Sequence, residues 1–340
     1  MALDILNIEP HKVSRDLTGY LTYIYGQPKV GKTTLTTRGR KTLLVAFEKG
    51  YNALPGVKPI DIKNWTEMRQ LVKELKKPAA REMYDTLTID TVDIAAKHCE
   101  KWICAQKEVE SIGKVPFGQG WNMMKDEFES VFREIAQAGY AVFFISHSKD
   151  KTFKRKDGTE YNQIVPSCPP TFNEKLSGMV DIYAYAEKYV DEDGESKVRL
   201  VLRSPDDTIE TGSRFKYIQP FCEMSYDSLA EAVVAAIDKE AEEYNNEFVT
   251  DERQSPLEKE EVKYVHKDLV NEFNALTEKI MEAAGRDEDL QAQYGGMIKH
   301  ITSTVFQSNK SVNASTIAQA PLVAEIIATL KEEFKDILGE

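Results

Sequence analysis

Residues 20–54 read YLTYIYGQPKVGKTTLTTRGRKTLLVAFEKGYNAL. An alternating apolar run leads into a glycine-framed loop, a short helix-compatible run follows, and a second apolar run delivers the lone carboxylate Glu48. Gly26, Gly31, Lys32 and Thr33 fit the pattern G-x4-G-K-[ST], and strand, loop and helix are the context that pattern requires. The two glycines permit close backbone approach, so the loop Gln27, Pro28, Lys29, Val30 can wrap its amides around β- and γ-phosphates. Lys32 adds a point charge, Thr33 offers a hydroxyl to Mg2+, and Thr34 continues the helix start. The stretch therefore predicts binding of ATP with Mg2+.

The rest of the composition bounds what surrounds that site. The chain has 340 residues, more than one typical domain, and 41% of them are hydrophobic, enough for a sizeable core. A formal net charge of -12 confines any nucleic-acid contact to local basic patches. Cys99, Cys104, Cys168 and Cys222 form no CxxC pair and no zinc spacing, so they read as reduced, mostly buried thiols. The start MALDILNIEPHKVSRD lacks a basic then apolar signal pattern, and no run nears 18 apolar residues. The expectation is a soluble protein of the cytoplasm, without a membrane partner.

Strand-like and helix-like segments alternate to about residue 237. TLLVAF (42–47), YDTLTID (84–90) and YAVFFISHS (140–148) read as strands, and NWTEMRQLVKELKK (64–77), residues 91–110 and NMMKDEFESVFREIAQAG (122–139) as helices, the last stopped at Gly139. Such alternation predicts an α/β fold with a mostly parallel sheet covered on both faces. Further on the texture is antiparallel: Asp157-Gly158 signals one hairpin, DEDGES (191–196) a second, and RFKYIQ (214–219) reads as a further strand before a closing helix. The domain expectation is a core over 1–238, a solvated acidic linker over 239–262, and a helical domain over 263–340 with apolar spacing at Leu269, Phe273, Leu276 and Ile280 and at Leu322, Ile326, Leu330, Phe334 and Ile337.

Three strand ends carry candidate chemistry. Asp90 can hold Mg2+ through its water shell beside Thr33, or simply start the next loop. Glu48 can orient a water near the γ-phosphate, or be a solvated loop residue. His147 can bond the γ-phosphate and report its loss, or be a satisfied core histidine. Together YGQPKVGKTT, LLVAFEKG, DTLTIDT, FGQGW and AVFFISHSK resemble the compact phage-encoded RecA-like P-loop ATPases, over roughly residues 17–235. The resemblance implies a RecA-like core, with Glu48 as catalytic glutamate, Asp90 as Walker B aspartate and His147 as sensor. It also implies a ring or filament whose inner loops, here 112–121 and 149–175, meet single-stranded DNA. Such proteins commonly carry glycine where this chain has Lys29, and an aspartate where it has Ala46.

The second loop has Lys149, Lys151, Lys154, Arg155 and Lys156 interleaved with Phe153 and Tyr161, a pattern that can track phosphates and stack bases, or blunt a sheet edge. Phe117 and Trp121 are weaker stacking candidates, since Trp121 could equally anchor a helix. In relatives, cations near Arg203 reach a neighbour's γ-phosphate; Arg203 could equally pair with Asp206 or Asp207. Three functions remain: an oligomeric DNA-stimulated ATPase for phage recombination, annealing or replication; a nucleotide-gated interaction protein whose helical tail docks a recombination or replication protein; and a small-molecule kinase.

Overall fold

The computed structural model describes residues 8–257 and 265–338. Two compact units divide them, one within 10–260 and one that groups residues 8–9 with those within 261–340. The first unit has strands β1 (Val13–Ser14), β2 (Leu21–Gly26), β3 (Thr42–Ala46), β4 (Pro59–Asp61), β5 (Thr86–Asp90), β6 (Ala141–Lys154), β7 (Glu160–Pro166), β8 (Ile182–Val190), β9 (Ser196–Val201), β10 (Gly212–Ser213), β11 (Phe221–Glu223) and β12 (Val249–Thr250). Its helices are α1 (Lys32–Thr36), α2 (Trp65–Leu75), α3 (Pro78–Met83), α4 (Val92–Gln106), α5 (Gln119–Gln137), α6 (Pro170–Met179) and α7 (Tyr226–Ala241).

The main sheet runs β11-β9-β8-β2-β6-β5-β3-β4. From β4 to β8 every pairing is parallel; β9 and β11 close one side antiparallel, β10 follows beside β8, and β7 pairs with the outer half of β6 and bridges Ile209 through Ile164. This is the α/β architecture of a P-loop NTPase. The pleat of β2 explains its central place: Leu21, Tyr23 and Tyr25 enter the core under α2, α4, α5 and α6, while Ile24 enters the core under α7. On the first face Trp65 stacks on Phe128 at 5.8 Å and Phe128 meets Phe172 edge-on at 4.4 Å, joining α2, α5 and α6. Helix starts follow local chemistry, as where Asn64 accepts the Glu67 amide at 3.0 Å. Gly139, at φ +86, turns α5 into β6.

Three expectations fail. RFKYIQ (214–219) is not a strand: Phe215 and Ile218 are buried three residues apart and joined by a turn bond of 3.3 Å, a spacing that simple alternation conceals. Within the supposed loop 149–175, Pro170 opens α6, whose Phe172 and Leu176 fill the core. The stretch 239–257 is not a solvated linker. Helix α7 continues to Ala241, β12 pairs with β1, and Arg253 lies over the sheet's N-terminal end, donating to Gly139 O (2.6 Å), Asp85 O (3.0 Å) and Thr18 Oγ1 (3.0 Å). A guanidinium that satisfies loop carbonyls outweighs the local acidity. Residues 258–262 of that expected linker lie outside the described residues.

The second unit packs α8 (His266–Ala283), α9 (Glu288–Phe306), α10 (Ala320–Glu333) and α11 (Lys335–Leu338) around Leu276, Ile280, Val323, Ile326, Leu330 and Phe334. Asp287 caps α9 through the amides of Asp289 and Leu290.

Removing the Arg253 clasp tests its weight. Arg253→Ala is expected to lower unfolding free energy by about 2–4 kcal/mol, because hydrogen bonds to a charged group each contribute roughly 1.5–3 kcal/mol and do not add fully. Glu252→Ala, whose side chain is exposed, should change it by less than about 0.5 kcal/mol. Urea unfolding monitored by circular dichroism measures both; equal effects would mean that the clasp contributes nothing.

Candidate functional site

In the sheet's register Gly26 lies beside His147, Ala46 beside Asp90, and Asp90 beside Ile145. The ends of β2, β3 and β5 and the middle of β6 therefore share one edge. A cleft of about 310 Å3 opens there, lined by Pro28, Lys29, Gly31, Lys32, Thr33 and Thr34 from the loop and by Glu48, Gly50, Asp90 and His147 from the other strand ends. Val30 points the other way, 5% exposed in the core, and fastens the loop to the sheet. Gly31 (φ +95) and Lys29 (φ +64) both adopt left-handed backbone; the first suits glycine, the second holds a lysine in a region that favours glycine. Helix α1 has only five residues, so the loop's amides rather than a long dipole supply the electropositive cradle.

Lys32 is 5% exposed and donates to the carbonyls of Gly26 and Gln27, both at 2.8 Å. Burial pulls its pKa down to about 8, against the upward pull of Asp90, Asp93 and Glu48. Thr33 Oγ1 donates to Asp90 Oδ2 at 2.7 Å. Burial pushes the Asp90 carboxyl above its ordinary range and Glu48 adds to that shift, while the Thr33 bond and the nearby cations oppose it. A threonine hydroxyl and a buried carboxylate in contact are hard oxygen donors of the kind Mg2+ takes, so these residues fit the ion. Glu48 Oε1 lies 3.6 Å from His147 Nε2, while His147 Nδ1 is buried without a hydrogen-bond partner among the described residues. The P-loop, Glu48, Asp90 and His147, separate in sequence, thus share one cleft.

One residue of this edge escaped the sequence reading. Asp93, in the first turn of α4 and 8% exposed, accepts from Ser146 Oγ (3.0 Å), the His147 amide (3.2 Å) and Ser167 Oγ (2.6 Å). Its one signal was the spacing Asp90-x-x-Asp93, a helical turn past a strand-ending carboxylate.

Beyond His147, β6 leaves the sheet and pairs with β7 as a hairpin. Its pleat sorts the basic and aromatic candidates. Lys151 Nζ lies 4.5 Å from the centre of the Phe153 ring, Phe153 stacks on Tyr161 at 5.7 Å, and Arg155 covers Tyr161 at 4.7 Å. Lys149, Lys151 and Phe153 line a groove of about 490 Å3 against Asn173, Ser177 and Glu210. Lys154 belongs to the alternate pleat position and Lys156 to the turn, so the expected group of seven is not one surface. Arg155 is also paired with Asp207 at 3.2 Å. In the other expected loop Phe117 is 97% exposed at φ +57, and Trp121 is 44% exposed.

Arg203 stands apart. Strand β9 runs antiparallel to β8, with Ser196 beside Val190 and Val201 beside Tyr185, so the chain reaches Arg203 while heading away from the edge that holds Gly26. Its guanidinium donates to the carbonyls of Lys216 and Phe215, both at 3.1 Å, rather than pairing with Asp206 or Asp207. Within its own chain it is not part of the cleft. All four cysteines are free and buried. Among the described residues no helix is long and apolar enough to cross a membrane.

Comparison with known proteins finds similarity at the level of a family and of a relative. The AAA domain matches residues 18–215, more than half of the chain. The SPbeta prophage-derived uncharacterized protein YorG of Bacillus subtilis (strain 168) is 28% identical over 351 aligned residues, with both chains covered in full.

The lowered pKa of Lys32 sets a pH dependence for nucleotide affinity. Below pH 8 the ammonium is charged and its contribution to phosphate binding is constant. Above about 8 the free protein loses that proton, so affinity should fall as pH rises, approaching tenfold per pH unit. Titration of a fluorescent ATP analogue between pH 6.5 and 9.5 measures the slope. Lys32→Ala should bind weakly and show no break near pH 8; the same break in that variant would assign it to another group.

Proposed function

Because the chain belongs to the AAA domain family of P-loop ATPases, we propose that it is a RecA-like ATPase acting on single-stranded DNA as a homo-oligomer, in phage recombination, annealing or replication. The observation that carries this reading is the continuity of β6. One fourteen-residue strand contributes His147 to the nucleotide cleft and, two to six residues later, Lys149, Lys151 and Phe153 to an exposed basic and aromatic face. Phosphate chemistry and polymer contact are thereby parts of one element.

In this reading the P-loop amides and Lys32 hold the triphosphate, and Thr33 and Asp90 hold Mg2+, which neutralises charge on the phosphate oxygens when bound. Glu48 accepts the proton of the attacking water and orients it, and His147 faces both Glu48 and the terminal phosphate. Basic groups on the hairpin track the DNA backbone while Phe153 offers a ring to a base. In an assembly Arg203 would reach a neighbour's nucleotide only by leaving the carbonyls of Phe215 and Lys216.

A second reading, a nucleotide-gated interaction protein whose tail docks a recombination or replication partner, draws on one feature. The helical unit has a groove of about 460 Å3 with Phe273, Ile298 and Val312 at its floor and Lys299 and Lys310 at its rim.

ATP hydrolysis measured with and without single-stranded DNA, with particle mass followed in the same samples, separates the readings. Stimulation in a multimeric particle is expected; turnover indifferent to DNA would favour the second. Glu48→Gln should retain nucleotide binding and lose about 10²–10⁴-fold in turnover, the range for a positioned base. A Glu48→Gln protein with undiminished turnover would move the base elsewhere.

The hairpin face makes a separate expectation. Neutralising Lys149 and Lys151 together should weaken single-strand binding and flatten its salt slope by up to about 0.7 log units for each phosphate that is no longer neutralised. Phe153→Ala should cost about 1–3 kcal/mol if it stacks on a base. Neutralising Lys154 and Lys156, off that face, should cost less in fluorescence-anisotropy titrations, and the opposite ranking would place the DNA on the other side.

A further inference from the structure

We propose that Asp93 is a positioning residue that ties the 148–166 hairpin to the phosphate edge, so that occupancy of the nucleotide cleft changes the hairpin through this one carboxylate. It is 8% exposed, and among the described residues no cation lies within ion-pairing distance of it. A buried carboxylate in that position must be stabilised by hydrogen-bond donors. Asp93 has three, and they come from two places: Ser146 Oγ and the His147 amide on the core half of β6, and Ser167 Oγ just past the end of β7. Two further bonds close the knot, from the Ser167 amide to His147 O at 2.8 Å and from the Cys168 amide to Ser146 Oγ at 3.4 Å.

Both ends of the hairpin are therefore gripped by one side chain on α4. His147 belongs to the same knot through its backbone and to the cleft through its imidazole, 3.6 Å from Glu48. Electrostatics supply a second route. Asp93 is one of the carboxylates whose charge Lys32 feels, after Asp90. When a triphosphate engages Lys32, Asp93 faces added negative charge and depends more heavily on its three donors. Tightening those bonds draws Ser167 and the His147 amide together and fixes the base of the hairpin. Loss of the terminal phosphate relaxes the same bonds. Charge-assisted bonds are the strong ones, so the effect is concentrated at this carboxylate rather than spread along the neutral strand pairing.

The inference rests on the nucleotide reading of the P-loop and not on DNA. Hydrogen exchange of the full-length chain, with and without Mg2+ and a non-hydrolysable ATP analogue, reads both separately. Protection of residues 26–37 reports nucleotide binding, and exchange of 148–166 reports coupling. The unsubstituted protein should slow exchange in the hairpin on the order of tenfold, near the lower end of ordinary coupling factors. In Asp93→Asn, which keeps the shape but loses the charge, that change should fall below about twofold while 26–37 stay protected. Ser167→Ala removes only the donor on the hairpin side and should also uncouple the two regions; it decides the matter if Asp93→Asn folds poorly or fails to bind. A nucleotide response of the hairpin that survives in the substituted proteins, or is missing from the unsubstituted one, overturns the proposal. Absence of protection at 26–37 in the unsubstituted protein would sink the nucleotide reading, and this inference with it.

Discussion

The close approach of β2 and β8 at Gly26 is the constraint on which the rest of the cleft depends. A Cβ at this position would lie 2.8 Å from Ala186 O and 2.9 Å from Ala186 Cβ, so only glycine lets the two strands stay paired up to the point where the P-loop departs. Because β2 also pairs with β6 on its other side, the loop emerges from the middle of the sheet, flanked by the ends of β3 and β5 and the outgoing half of β6. Gly26 O then accepts from Lys32, so the strand's last carbonyl helps to hold the P-loop's own ammonium.

Burial gives that edge its chemical character. Lys32 and Asp90 are nearly inaccessible, and each is driven toward its neutral form by desolvation, Asp90 also by Glu48, while Asp90, Asp93 and Glu48 pull Lys32 back and the Thr33 bond and Lys32 pull Asp90 back. Such a site holds a strongly charged ligand by supplying charge that water does not screen, and the balance among Lys32, Asp90, Asp93 and Glu48 shifts as soon as phosphate charge is added. The outer hairpin lies by contrast in solvent, where its lysines and arginine lean on aromatic rings or pair with surface carboxylates.

The parts legible in the sequence are those whose signal is local. Gly26 to Thr34 carries its own context, and Glu48, Asp90 and His147 could be located because each sits at the end of an apolar run that had to be a strand. Asp93 could not be weighed, since its importance comes from Ser146, His147 and Ser167, residues some fifty to seventy-five positions away that only the fold brings near. Arg253 was hidden for a different reason: one arginine in an acidic stretch is averaged out by composition, although it satisfies two distant carbonyls. The residues of RFKYIQ offered alternation, whereas Phe215 and Ile218 are buried at a spacing of three. The hairpin's two faces were implicit in the period of a strand, yet grouping its residues by charge mixed them.

The length of β6 has a mechanical consequence. From His147 to Lys154 the strand extends seven residues past the phosphate edge, a lever arm of about 24 Å at the usual rise per residue. Its fulcrum is the group of bonds around Asp93. Tilting such an arm by about 5° sweeps its tip through about 2 Å, enough to break a hydrogen bond, whose ordinary length is about 2.9 Å. A displacement too small to disturb packing at the fulcrum is therefore magnified at the hairpin tip to the scale of a hydrogen bond.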